Sequence, residues 1–189
     1  MIIIYAHPNK EGHCGHVLQK AQEVCAARNV PYTLLDLYEM GYDPVMKPGE
    51  HYTSGHRDIG PDTAKLQELI KANDRFLIIY PTWWNGTPAI LKGFFDRTFT
   101  SHFAFRYVNG IPRGLLSGKA AVITTTGGHA ILEKVLLGSR SLKVVVRDTL
   151  RFCGIKAEGY MIGSATQFTE KQKRKIERIV PRALDHLLA

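Results

Sequence analysis

Apolar positions fall into two alternating kinds of segment. Ile2, Ile3, Ile4 and Tyr5 form a continuous apolar run, the pattern of a strand covered on both faces. Over residues 13–28, Val17, Leu18, Ala21, Val24 and Cys25 recur at three- and four-residue spacing. That spacing predicts an amphipathic helix, which Asn29 stops and Pro31 bars from continuing. Residues 32–37 read as a second strand. A helix is predicted from Pro61, capped by Asp62 and Thr63, with Leu66, Leu69 and Ile70 as its apolar stripe. Residues 76–80 make a third strand. Thr87 and Pro88 open the next helix, with Pro88 at its first position and Ile90, Leu91, Phe94 and Phe95 on its buried face. Residues 120–125 read as a fourth strand, Gly127-Gly128 as a turn, 139–152 as a helix and 157–162 as a fifth strand. A last helix covers 169–188, capped by Thr169 and Glu170, with Pro181 inside it.

Strands alternating with helices in this way predict one α/β domain over residues 1–189, a doubly wound parallel sheet with helices on both faces. Two stretches, 38–60 and 101–118, read as irregular, and loops of that length in a compact domain usually carry function.

Composition narrows the class. A chain of 189 residues with 22% charged side chains suits a globular domain that needs no disulfide or metal staple. No apolar run approaches the roughly 18–20 residues of a membrane span, and residues 1–6 are too short for a signal peptide and lack a basic leader. Cys14, Cys25 and Cys153 are odd in number and form no C-x-x-C pair, which favours a reducing compartment and hence the cytoplasm. The net charge of +8 fits nucleic acid, small anions or plain solubility, and no nucleic-acid motif accompanies it.

In a doubly wound sheet, ligands bind beyond the carboxyl ends of the strands. Three turns at such ends are unusual here. Residues 7–16 run from the first strand into a helix whose free N–H groups suit a phosphate, with Gly12 and Gly15 permitting close approach and His7, His13 and His16 nearby. The dinucleotide and triphosphate fingerprints are absent. His13, Cys14 and His16 lack the second ligand cluster of a zinc site, so no metal is expected. After the third strand, Trp83 and Trp84 stand side by side on a turn, suited to stacking on a flat ring, with buried loop packing as the alternative. After the fourth come Thr125, Thr126, Gly127, Gly128 and His129. Phosphate at one end and a planar ring at the other describe a flavin nucleotide.

The residues 4–8 (Ile-Tyr-Ala-His-Pro), 36–38, 43–45, 81–97, 103–105, 115–119, 125–128 and 152–154 fall in the order found in a known family. By them the chain resembles the flavodoxin-like NAD(P)H:quinone oxidoreductases. These include animal quinone reductases and the flavoprotein ancillary subunits of glutathione-gated potassium efflux systems. The resemblance implies a five-stranded sheet of order 2-1-3-4-5, FMN or FAD as cofactor, and hydride transfer from NAD(P)H to flavin N5 and on to a quinone-type acceptor. It assigns His7 and the loop His13, Cys14, Gly15 and His16 to the flavin phosphate. Pro81, Thr82, Trp83, Trp84 and Asn85 are assigned to the isoalloxazine ring, and Thr125, Thr126, Gly127 and Gly128 to its edge.

Many relatives carry serine and asparagine in the phosphate loop where this chain has His13 and His16. Animal relatives place a tyrosine and a histidine soon after the glycine pair to assist charge relay. Here that segment reads His129-Ala130-Ile131-Leu132-Glu133, leaving His129 as a catalytic candidate, with Tyr107 as a second. Phe103, Phe105 and Arg106 are expected to border the acceptor pocket, with Arg106 or Arg113 meeting the anionic donor. A homodimer is implied, with loop 38–60 as interface or lid. A flavodoxin-type electron carrier and an ancillary subunit associating peripherally with a membrane transporter are the alternatives. Such carriers are typically acidic, unlike this chain.

Overall fold

A computed structural model describes residues 1–51 and 59–189. Its strands are β1 (Ile2–Tyr5), β2 (Thr33–Asp36), β3 (Arg75–Pro81), β4 (Phe105–Val108), β5 (Ile111–Gly114), β6 (Lys119–Thr125) and β7 (Lys156–Ile162). Five of them pair in parallel in the order β2-β1-β3-β6-β7, and β4 and β5 form a separate hairpin. Ranked along the chain, the sheet strands follow the expected order 2-1-3-4-5.

The helices are α1 (His13–Ala27), α2 (Pro61–Lys71), α3 (Ala89–Thr98), α4 (Ala130–Leu136), α5 (Arg140–Lys143), which runs on into a wider π-type coil over Val144–Arg151, and α6 (Glu170–Leu188). Because side chains alternate across a strand, each apolar run feeds two cores at once. Ile2, Ile4, Ile78, Tyr80 and Val122 meet α2, α3 and the coil after α5 on one face. Ile3, Tyr5, Leu77, Ile79 and Ile123 meet α1 and α6 on the other. All four residues of β1 are buried, which is why its sequence is continuously apolar rather than alternating.

Several elements differ from expectation at their ends. Pro61 opens α2 behind Gly60, so Asp62 lies in the first turn, facing the positive end of the helix, while Thr63 is buried. Pro88 precedes the first helical residue of α3 rather than occupying it, and Thr87 makes no cap. Thr169 does cap α6, accepting from the Gln172 N–H. The stretch 101–118 is not irregular throughout, since it holds the β4–β5 hairpin turned at Asn109 (φ 53°) and Gly110 (φ 78°). Asn-Gly is the favoured pair for such a turn. Pro112 and the solvated faces of both strands remove the apolar alternation that would have announced it. Helix α4 was also unforeseen, being short and carrying its apolar residues outward.

The described part of the long loop is clamped to α3. Arg97 meets both oxygens of Glu50, at 2.9 and 2.6 Å, and also donates to the Asp43 carbonyl. Its guanidinium lies 5.6 Å from the Tyr42 ring centre. Gly93 lets Pro44 lie against the helix, because a Cβ there would sit 2.2 Å from the Pro44 carbonyl oxygen. Residues 52–58 of the loop assigned to an interface or lid lie outside the described residues.

Candidate active site

Parallel pairing of β1, β3 and β6 brings three turns together at the carboxyl ends of the strands. Contacts fix their relative positions. The Thr82 N–H donates to the Thr125 carbonyl at 2.7 Å, and the Thr82 and Thr124 hydroxyls are 2.9 Å apart. Cys14 Sγ lies 3.3 Å from Thr125 Oγ1, joining the start of α1 to the end of β6. His7 and Trp83 have ring centres 5.9 Å apart. Burial pushes the Cys14 thiol up to about 12, so it stays a protonated packing group.

The first turn bends sharply. A Cβ at Gly15 would lie 1.7 Å from the Lys10 carbonyl oxygen, so only glycine allows this entry into α1. Gly12 precedes the helix with open space beside it, no side chain caps it, and no acidic residue stands in the first turn. That leaves the free N–H groups and positive end of α1 available to an anion. The turn itself is braced by Asn9, whose N–H donates to His7 Nδ1, and by the Tyr5 hydroxyl bonded to the Asn9 carbonyl. His13 and His16 do not hang free in the loop. His16 stacks on Phe168 with ring centres 3.8 Å apart, and His13 meets the same ring edge-on at 5.2 Å. Burial holds the His13 imidazole below its usual range, against the opposing pull of the Gln167 backbone.

The turn after β3 is strained. Trp83 and Gly86 exchange both backbone hydrogen bonds, so Trp84 (φ 50°) and Asn85 (φ 56°) form the corner in left-handed backbone. A bulky residue rarely takes that conformation, at a cost of order 1–3 kcal/mol. Trp84 makes no compensating contact: it is as exposed as a free side chain, at 103%, whereas Trp83 is 41% exposed. Buried loop packing therefore does not account for Trp84. Beneath it, Ser141 Oγ donates to the Gly86 carbonyl and accepts from Thr82 Oγ1, while the Tyr80 hydroxyl donates to the Ser141 carbonyl. No pattern in the chain pointed to Ser141, which reaches this turn across 55 residues.

The turn after β6 is held by backbone bonds to the segment following β7: Thr126 N–H to Ile162, Ser164 N–H to Gly128 and Ala165 N–H to Thr126. The Gly127 and Gly128 N–H groups have no protein acceptor among the described residues. Two free donors on one side and an exposed indole on the other suit a flat heteroaromatic ring with acceptor atoms along its edge. The buried Asn85 Oδ1 also lacks a hydrogen-bond partner among the described residues. The chemistry of these residues, an open helix N-terminus, an exposed indole and acceptor-free N–H groups, fits a flavin nucleotide.

His129 is exposed at the start of α4, its Nδ1 3.0 Å from Ser164 Oγ. Tyr107 and Arg106 are exposed on β4, while Phe103 and Phe105 pack partly into the core. The hairpin grows from the amino ends of the strands, with Leu116 bonded to Cys153 below β7. Within one chain the hairpin residues do not meet the three turns, whereas His129 directly follows Gly128. A cavity of about 330 Å³ lined by Phe95, Phe99, Phe105 and Phe152 also lies at that amino end.

A sequence profile for the flavodoxin-like fold matches residues 1–187. The chain belongs to that flavodoxin-like family. The flavodoxin-like chain is 28% identical to an NAD(P)H oxidoreductase of Haemophilus influenzae over 92% of its own length and 88% of the relative's. It is 28% identical to the human ribosyldihydronicotinamide dehydrogenase (quinone), over 93% and 85% of the two chains. The structure of the NAD(P)H:quinone oxidoreductase from Methanothermobacter marburgensis superposes with a TM-score of 0.84 at 26% identity, covering 98% and 96% of the two chains.

Proposed function

We propose that this chain is a flavin-dependent NAD(P)H:quinone oxidoreductase that carries two electrons, as hydride, from NAD(P)H to a quinone-type acceptor. The observation that carries the proposal is Trp84, a strained and wholly exposed indole on a turn that Thr82 bonds to the end of β6, just ahead of two glycine N–H groups with no acceptor among the described residues. The names of the relatives in Haemophilus influenzae, human and Methanothermobacter marburgensis agree with it.

When bound, FMN or FAD supplies the hydride-accepting and hydride-releasing atom that no side chain possesses. The chain supplies the rest. The N–H groups at the start of α1 hold phosphate, Trp84 and Trp83 give one wall of the ring site, and the Gly127 and Gly128 N–H groups offset negative charge at the ring edge. Donor and acceptor then bind in turn on the open face, where orientation rather than acid catalysis sets the rate.

A homodimer fits the exposed surfaces. Tyr107, Val108, Ile111 and Leu115 on and beside the hairpin and Ile131, Val135 and Leu136 on α4 are all at least 40% exposed, a large apolar area for a lone chain. A second copy that seats its hairpin over the turns of the first would unite Phe105, Arg106 and Tyr107 with His129. Arg106 and Arg113 lie opposite each other in the hairpin ladder. Like charges so placed repel, and the phosphates of a nicotinamide donor would relieve them. The three free, buried cysteines support a cytoplasmic residence; among the described residues no helix is long and apolar enough to cross a membrane.

The test is to record the visible spectrum of the purified protein with FMN and with FAD, then follow NADH and NADPH oxidation with a benzoquinone. Flavin binding with quinone-dependent oxidation is expected. Absence of both refutes the proposal.

A further inference from the structure

One buried acid in the site has no place in the chemistry above. Glu133, on α4, is only 9% exposed. Its Oε1 accepts from the Thr126 hydroxyl at 2.8 Å, and the same oxygen lies against Gly128, where a Cβ would approach it to 3.4 Å. Its Oε2 is shut off from solvent and has no hydrogen-bond partner, and no lysine, arginine or histidine pairs with it among the described residues. A buried carboxylate with one bare oxygen and no counter-charge is costly, and a chain that keeps one needs a reason.

The carboxylate lies against the turn after β6, bonded to Thr126 and next to Gly128, whose N–H, like that of Gly127, has no protein acceptor among the described residues. We propose that Glu133 is a positioning residue that sets the electron affinity of the site. Its carboxylate locks the Thr126 hydroxyl inward, so the turn presents backbone donors alone. Its fixed negative charge opposes the build-up of negative charge on a ring bound above. The glycine N–H groups favour the reduced form of such a ring, and Glu133 limits how far. A flavin in this site would therefore hold its electrons loosely and release them readily to an acceptor. Shielding from water lets the charge act across one layer of backbone with little screening.

The inference rests on the flavin reading, and the experiment separates the two. The full chain is loaded with FMN, and its affinity for FMN and the two-electron midpoint potential of the bound flavin are measured for wild type and variants. Glu133→Gln keeps the shape and the acceptor for Thr126 but removes the charge. It is expected to strengthen binding of reduced over oxidised FMN about tenfold, a rise of about 30 mV for a two-electron couple. Glu133→Asp keeps the charge and should stay near the wild-type potential. Asp185→Asn, on the exposed pair with Arg28 at the far end of α6, should change nothing. Glu133→Leu, an apolar group of similar size, should reproduce the Gln shift and serves if Gln does not fold. Equal potentials in wild type and Gln or Leu overturn the proposal, as does an Asp shift as large as that of Gln. Wild type that binds no FMN overturns the flavin reading itself.

Discussion

Replacing Trp84 by alanine tests the site at its most unusual residue, because the two accounts of that residue predict opposite results. Alanine keeps the Cβ, so the left-handed backbone at φ 50° is strained to the same degree and only the indole is lost. An indole that is fully exposed contributes no packing, and its removal should change stability by no more than about 0.5 kcal/mol. For a chain of this size that is a shift in melting temperature of about 2 °C or less. Were the ring a packing element, its loss would cost about 3–5 kcal/mol, or roughly 6–20 °C. Flavin affinity should respond the other way. Stacking of a flat base on an aromatic side chain is worth about 1–3 kcal/mol, which corresponds to a dissociation constant raised about 5- to 150-fold. Melting is followed by circular dichroism without ligand, and affinity by quenching of flavin fluorescence on titration with protein. Trp83→Ala provides the contrast, since its ring is more than half covered and lies near His7, so stability and affinity should fall together. A Trp84→Ala protein that binds flavin as tightly as wild type would refute the stacking argument.

Two further predictions concern the clamp that holds the long loop on α3. Glu50 and Arg97 are 9% and 12% exposed, so Glu50→Gln leaves a buried guanidinium without its counter-charge and should cost about 3 kcal/mol at pH 7. The Arg97 hydrogen bonds hold the Glu50 carboxyl below its usual range, so the stabilisation is complete above the unfolded value of about 4.3 and is lost as pH falls through the folded value. Denaturant melts from pH 7 to pH 3 should therefore show the wild-type advantage shrinking below about pH 4, and an advantage that grows there contradicts the assignment. Gly93→Ala should destabilise by about 1–3 kcal/mol despite the higher helix propensity of alanine, because its Cβ would meet Pro44 backbone rather than a yielding side chain. Limited proteolysis within 38–51 should speed up in the same variant, and a more stable protein would show that the loop yields freely.

The extent to which the site was legible varies by residue. Trp83 and Trp84 were conspicuous as the two tryptophans of the chain, adjacent and at a strand's end. The strain at Trp84 was not, because φ depends on the two backbone bonds between Trp83 and Gly86, and those depend on Ser141 holding Gly86 from another element. His13 and His16 were visible as departures in the phosphate loop, but their stacking on Phe168 could not be read locally, since the segment between β7 and α6 brings that ring from the other end of the chain. Glu133 carried no signal of its own, because α4 was not foreseen. An amphipathic count assigns such a residue to solvent, and α4 inverts that rule by burying the acid and exposing Ile131, Val135 and Leu136.

Hydrophobic patterning alone determined that the chain forms a layered α/β sheet and where the five strands of that sheet and its main helices lie. That follows because a strand buried on both faces must be apolar throughout, and a helix lying on a sheet must repeat at three and four residues. Such patterns act over a few residues and specify which face turns inward. They do not specify which turns become neighbours. Strand order decides that, and it placed Cys14 beside Thr125, Thr82 beside Thr124 and Arg97 against Glu50. Whether a glutamate under a glycine turn is solvated or stranded is likewise settled only when every element is packed, because burial is a property of the whole chain.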